Sequence, residues 1–272
     1  MPPEPVVVFI ADVHAGSKLA PMLDCTDADG VNHSPSLIQR TLNDFLGRAL
    51  ADTKALVKGC AVVVALGGDL VDGVAHHGST QTLGDHNDQR DMAVRQLLPW
   101  VNLASRAYGV LGTDAHVGDN GQGDKAVCKE LGVPAQGFWR LEVGGKLVDW
   151  AHHMTGARKV WLRENAGVAL AHKTAIEYAL RHERPPDLIV RHHLHQYMHT
   201  LAGGVQVVTV PGWQAQTTFT RKLDPNALLT VGVVLYWPKR GEIKPILFDF
   251  PAAPIESVSF AKQAKPRHIV TR

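Results

Sequence analysis

The sequence predicts an α/β fold of two sheets packed together with helices outside, in one domain spanning residues 1–272. Three observations carry this. Strand-like and helix-like stretches alternate through the first half of the chain. The last third is mostly strand. Asp and His residues recur where the apolar runs end. The third observation bears on function, because open α/β sheets bind ligands at the carboxyl ends of their strands. Side chains scattered in sequence would converge there.

The elements follow in order. Val6 to Ala11 is a β-branched run ending in Asp12 and reads as a buried strand. Lys18 to His33 is polar and rich in Asp and Gly, so it reads as a loop. Ser34 and Pro35 supply an N-cap and a first-turn proline. Ile38, Leu42, Phe45, Leu46 and Ala49 then recur at helical spacing. Cys60 to Leu66 is a second strand. Val74 to Asp88 is a second polar loop, holding His76, His77 and His86. Val94, Leu97, Leu98 and Val101 mark a helix that Pro99 should kink. Ala107 to Leu111 is a third strand, and Lys125 to Leu131 a short helix closed by Gly132.

Phe138 to Ala151 reads as a hairpin turning at Gly144 and Gly145 and ending at His152. Val160 to Leu180 is mostly helical and stops before Pro185 and Pro186. Asp187 to Val190 is a strand that runs into a His cluster. Val205 to Val210, Thr230 to Trp237 and Ile243 to Phe250 are closing strands. The tail from about Ala252 has few large apolar residues and is expected on the surface.

Composition bounds the rest. With 45% hydrophobic and 20% charged residues, the chain is ordinary globular material. Its net charge of +2 is far from that of a dedicated nucleic-acid binder. Cys25, Cys60 and Cys128 are odd in number and far apart, so they imply neither a disulfide framework nor a thiolate zinc knuckle. They read as small buried hydrophobes. The N-terminus has no basic segment before an apolar one, and no apolar run is long enough to span a bilayer. The expectation is a soluble, cytoplasmic protein with no membrane partner.

Five short blocks carry the chemistry: Asp12-Val13-His14, Gly67-Gly68-Asp69-Leu70-Val71-Asp72, Gly112-Thr113-Asp114-Ala115-His116, His152-His153 and His193-Leu194-His195. Asp-x-His alone is a weak signal. On an extended backbone, however, residues two apart point the same way, so Asp12 and His14 could face one metal. Gly67 and Gly68 let the backbone turn sharply after a strand. That turn would place Asp69 where a carboxylate can bridge two cations, or simply where it bonds its own backbone. His152 and His153 are neighbours, so one should point into the site and the other away, with His152 the favoured ligand.

In this order the blocks resemble those of the calcineurin-like metallophosphoesterase superfamily. Its pattern is Asp-x-His, Gly-Asp-x-x-Asp, Gly-Asn-His-Asp/Glu, a lone His, then Gly-His-x-His. The resemblance spans roughly Val6 to His195 and implies a four-layer α/β/β/α sandwich of two mixed sheets. It also implies a metal-dependent phosphoric ester hydrolase. Asp12, His14, Asp69 and His195 would hold one metal. Asp69, His152 and His193 would hold the second, with Asp69 bridging. Asp72 would orient the catalytic histidine.

This chain departs from the pattern twice. His192 stands where the family has Gly, and Thr113 where it has the Asn that ligates the second metal. Asp114 is the candidate to supply the missing oxygen, with a turn residue as the other reading. His116 stands later than the pattern puts it, which suggests a local insertion, and remains the candidate catalytic histidine.

The ligands are imidazoles and carboxylates without thiolate. For the two divalent cations that the resemblance implies, this suits Mn²⁺ first, with Fe or Zn²⁺ also expected. The resemblance implies hydrolysis by a metal-bridging hydroxide, with His116 protonating the leaving alkoxide. Phosphodiesters are the expected substrates, with DNA or RNA among them. Arg158, Lys159 and Arg163 lie near enough in sequence to contact a phosphate backbone. A metallophosphoesterase-fold binding module without catalysis is the competing class, and the intact Asp and His blocks argue against it.

Overall fold

The computed structural model describes residues 2–74, 81–154, 163–215 and 230–250. His76, His77, Arg158, Lys159 and the tail from Ala252 lie outside them, as does the Arg163 side chain.

The first sheet is built on β1 (Pro5–Ile10), β4 (Ala61–Leu66), β5 (Arg106–Val110) and β6 (Ala135–Gln136), all parallel. On the other side of β1, β12 (Thr230–Trp237) and β13 (Glu242–Asp249) continue it antiparallel, giving the order β13-β12-β1-β4-β5-β6. The second sheet has the order β10-β11-β9-β8-β7. In it β8 (Lys146–Ala151), β9 (Leu188–Arg191) and β11 (Val205–Thr209) are parallel, while β7 (Phe138–Val143) and β10 (Met198–Ala202) run antiparallel at the two edges. Both sheets are therefore mixed.

Period-two alternation explains the layering. In β1, Val7 and Phe9 point into the layer between the sheets, where they meet Trp150, Val190 and Val208. Val6, Val8 and Ile10 point outward, into the core under the helices. A strand buried on both faces needs an unbroken apolar run, and Val6 to Ile10 is one. Each such side chain contributes about 1.5–3 kcal/mol on full burial.

Helices α1 (Leu37–Leu56), α2 (His86–Val101) and α4 (Gln122–Glu130) lie outside the first sheet, and α5 (Arg163–Leu180) lies on β10 and β11 outside the second. The layers run α/β/β/α. No helix among the described residues is long and apolar enough to cross a membrane.

Several element ends differ from the sequence reading. Helix α1 is capped by Ser36, not Ser34. Ser36 and Gln39 form a capping box, with the Ser36 Oγ accepting from the Gln39 N–H and the Gln39 side chain accepting from the Ser36 N–H. That reciprocal pair stabilises a start two residues later than Ser34-Pro35 suggests. Helix α2 begins at His86 because Asp85 caps it, so the loop is shorter than Val74 to Asp88. Pro99 sits in the last turn of α2. The loop from Lys18 contains a two-stranded ribbon, β2 (Cys25–Thr26) and β3 (Asn32–His33). Strand β10 has no counterpart in the sequence reading, because its polar residues mask an edge strand. The hairpin does turn at Gly144 and Gly145, with φ of 59° and 79°.

Candidate metal centre

The described parallel strands end together, and the five blocks follow those ends. Asp12 comes after β1, Asp69 after β4, Thr113 after β5, His152 after β8 and His193 after β9. A further turn follows β11 and ends in Gly212, Trp213 and Gln214.

The side chains form overlapping groups of metal-ligating atoms. Asp12, His14 and His195 make one group; Asp12, Asp69 and His152 a second; His152, His153 and His193 a third; His14, Asp72 and His116 a fourth. The ligating atoms within each group lie within 4.8 Å of one another. His14 Nε2 is 3.3 Å from His195 Nε2, which is 3.4 Å from Asp12 Oδ1. Metal–nitrogen bonds of about 2.0–2.1 Å at tetrahedral angles would set such atoms about 3.3 Å apart. Asp69 Oδ2 is 3.1 Å from His152 Nε2. Asp12 belongs to two groups, so the bridging role that resemblance gives Asp69 falls geometrically on Asp12 as well.

The backbone that does this is not extended. Asp12, His14, Asp69, His193 and His195 all have positive φ, from 46° to 71°. The left-handed region costs a non-glycine residue about 1–3 kcal/mol. Asp12 and His14 converge because of these turns, not through the strand alternation expected from the sequence. Trp213 N–H donates to the Asp12 carbonyl and His14 N–H to that of Asp69, which hold the bent segments in place.

Glycines make the approach possible. A Cβ on Gly112 would fall 2.1 Å from Asp69 Oδ1, and one on Gly67 would fall 2.5 Å from the His192 ring. His192, where the family pattern has Gly, is thus accommodated by Gly67. It is fully buried, and its Nε2 accepts from the Trp150 indole at 2.7 Å. That bond fixes the His192 ring from within the second sheet, where it lies against Gly67.

Thr113 takes the position expected of the family's Asn. Its Oγ1 lies 3.1 Å from Asp69 Oδ2, 3.2 Å from His193 Nδ1 and 3.4 Å from His152 Nε2. Asp114 is exposed at the start of α3 (Asp114–Val117), and its carboxylate is in none of the ligating groups. The physical reason is the single helical turn: Thr113 is its N-cap and faces the centre, and the next residue rotates away. The same turn brings His116 back toward His14. The His116 ring lies edge-on to His14 at 4.5 Å, and its Nδ1 is 3.0 Å from the Asp72 carbonyl oxygen.

Asp72 acts through its carboxylate and its carbonyl. Its carboxylate lies 3.3 Å from His14 Nδ1 and accepts from the Gln81 and Gln214 amides, while its carbonyl anchors His116. It therefore orients a ligand as well as the candidate catalytic histidine.

The charges match a cation. Burial opposes ionisation of Asp12, yet His195 and His152 outweigh it and hold the carboxyl at about 2. Burial likewise opposes a charged His152, but Asp69 and Asp12 drag its pKa up to about 10. Asp12 Oδ1 is buried and faces His195 Nε2 at 3.4 Å and His152 Nε2 at 4.0 Å. Buried carboxylates with convergent imidazole nitrogens fit divalent metal binding.

Sequence reasoning missed two contributors. Asp124, fully buried on α4, accepts backbone N–H groups from Asp69, Leu70 and Gly112 at 3.2, 2.9 and 2.8 Å. Burial and the charge of Asp69 push its pKa up to about 7 against those bonds. A lone Asp in the first turn of a short helix gives no sequence signal for this. Gly212 and Gln214 were the other omission. Gly212 packs on Asp12 and His195, and Gln214 donates to Asp72. A Gly soon after the strand Val205 to Val210, as Gly67 follows Cys60 to Leu66, was the available cue.

No family model and no curated protein matches the chain. It is similar to several solved structures. A novel archaeal phosphodiesterase shares 10% identity, with 89% of this chain and 99% of that one covered and a TM-score of 0.44. Zn²⁺-complexed Vps29 from Entamoeba histolytica shares 14% identity over 90% and 99%, with a TM-score of 0.38. A putative 5'-nucleotidase from Staphylococcus aureus shares 12% over 95% and 56%, with a TM-score of 0.40. Likenesses this distant carry no argument about activity. The architecture seen here is two mixed sheets flanked by helices, with the Asp and His blocks at the strand ends.

Proposed function

We propose that this chain is a phosphoesterase using two divalent cations, and that its substrates are phosphodiesters. The observation that carries the reading is the Asp12 carboxylate, shared by two groups of ligating side chains that meet at the strand ends. Asp12, His14 and His195 would hold one cation. Asp12, Asp69, His152 and His193 would hold the other, with the Thr113 hydroxyl beside them. When bound, the pair would polarise phosphoryl oxygens and supply a nucleophile from water near neutral pH.

The protein's own groups supply the rest. His116, anchored at Nδ1 by the Asp72 carbonyl, presents Nε2 as the nitrogen that exchanges a proton. It would protonate the leaving alkoxide, a task suited to an imidazole. Asp72 holds His14 and His116 in register. Asp124 holds the Asp69 and Gly112 turns together.

The preference for diesters follows from charge. A monoester dianion is best held by several cationic side chains around its terminal oxygens. Arg191, the one Arg in the five blocks and their flanks, donates to the carbonyls of Asp149 and Val190 and is occupied there. The test is kcat/KM on matched aryl mono- and diesters with Mn²⁺ at one pH, with single-stranded DNA and RNA as further arms. A diester preference is expected. A clear monoester preference would move the protein to the phosphatases.

A further inference from the structure

The structure assigns His153 to the second metal position, as a third imidazole beside His152 and His193; this rests on the two-cation reading above. A nitrogen of each of the three rings lies within 4.8 Å of the others. The His153 ring sits 4.9 Å from that of His152 at 86° and 5.2 Å from that of His193 at 66°. Neighbouring residues in a strand point to opposite faces. Strand β8 ends at Ala151, so that rule no longer separates His152 from His153.

The family pattern supplies an Asn amide oxygen here, and Thr113 offers only a short hydroxyl already in contact with Asp69, His152 and His193. Asp114 is exposed and outside the group. His153 is also exposed, so it is not a core histidine placed by packing, and it lies on the open side of the centre where His193 is exposed too. A position with three imidazoles beside the Asp69 and shared Asp12 carboxylates suits Zn²⁺ or Fe²⁺ better than Mn²⁺, because imidazole favours the softer cations. The first position, with two imidazoles and Asp12, lacks that bias. The two positions would then differ in metal preference.

The test is titration of the metal-free full chain with Zn²⁺ and with Co²⁺, by calorimetry and by the visible absorption of bound Co²⁺. Wild type is compared with His153→Ala and His153→Gln. Wild type should take up two equivalents. Both variants should keep the first, lose at least tenfold in affinity for the second, and change the Co²⁺ spectrum of that step only. His153 is exposed, so unchanged far-UV circular dichroism is expected in both variants. Two equivalents bound by the variants with wild-type affinities and spectra would overturn the assignment while leaving the two-cation reading intact. Fewer than two equivalents in wild type would overturn that reading and the assignment with it.

Discussion

Seven residues other than glycine adopt a positive φ among those described, and five of them are Asp12, His14, Asp69, His193 and His195. Conformational cost is thus concentrated on the candidate ligands, where the bent backbone aims side chains that a regular strand would separate. Two predictions belong to this scale. His116→Ala should slow turnover while leaving metal content unchanged, and the loss should shrink on substrates with good leaving groups. Steady-state rates on a leaving-group series decide it. An equal loss throughout, or a missing metal equivalent, would make His116 a ligand instead. The second concerns His152. Its pKa of about 10 in the metal-free chain means it carries a proton at pH 8, whereas a ligand imidazole must be neutral. Metal uptake at pH 8 should therefore release protons, and the release should fade above pH 10. Calorimetry in buffers of different ionisation enthalpy would show it, and a buffer-independent heat at pH 8 would contradict it.

Elements explain why some ligands were legible in the sequence and others were not. Apolar runs such as Val6 to Ile10 announce a strand, and the polar residue after each run marks its functional end. Asp12, Asp69, His152 and His193 could be found that way. Asp124 could not, because its role depends on α4 packing behind two turns that are distant in sequence. The orientation of Thr113 and Asp114 was hidden for a related reason: a single turn of helix, α3, decides which of them faces the centre. For the tandem His152-His153, alternation predicts opposite faces, whereas β8 stops at Ala151 and the two rings lie 4.9 Å apart. Asp124→Asn is the test at this scale. The amide would turn an N–H₂ toward backbone donors and release one of the two turns. Turnover or metal affinity should fall by about 10–100-fold, as for other groups that orient ligands. Asp124→Glu should recover little of it, because the carboxylate would be displaced along a buried helix face. Wild-type kinetics and metal binding in the Asn variant would show that the clamp is dispensable.

At the scale of the molecule, the layered α/β/β/α arrangement brings six of the seven described parallel strands, from two sheets, to end at one place. The first sheet brings Asp12, Asp69 and Thr113, and the second brings His152 and His193. Neither sheet holds the whole set of candidate ligands, so the inter-sheet core of Val7, Phe9, Trp150 and Val190 is what keeps the two halves of the candidate centre in register. The alternation of strand and helix in the first half and the run of strands in the last third made the two-sheet plan legible. The bend at each strand end was not legible, since it depends on contacts such as the Trp213 N–H on the Asp12 carbonyl. The measurement that bears most directly on the account is turnover of an aryl phosphodiester recorded during titration of the metal-free chain with Mn²⁺, with bound metal counted at each step. Activity is expected to rise with the second equivalent and to be absent in chelator. Full activity at one equivalent, or in chelator, would contradict the two-cation centre.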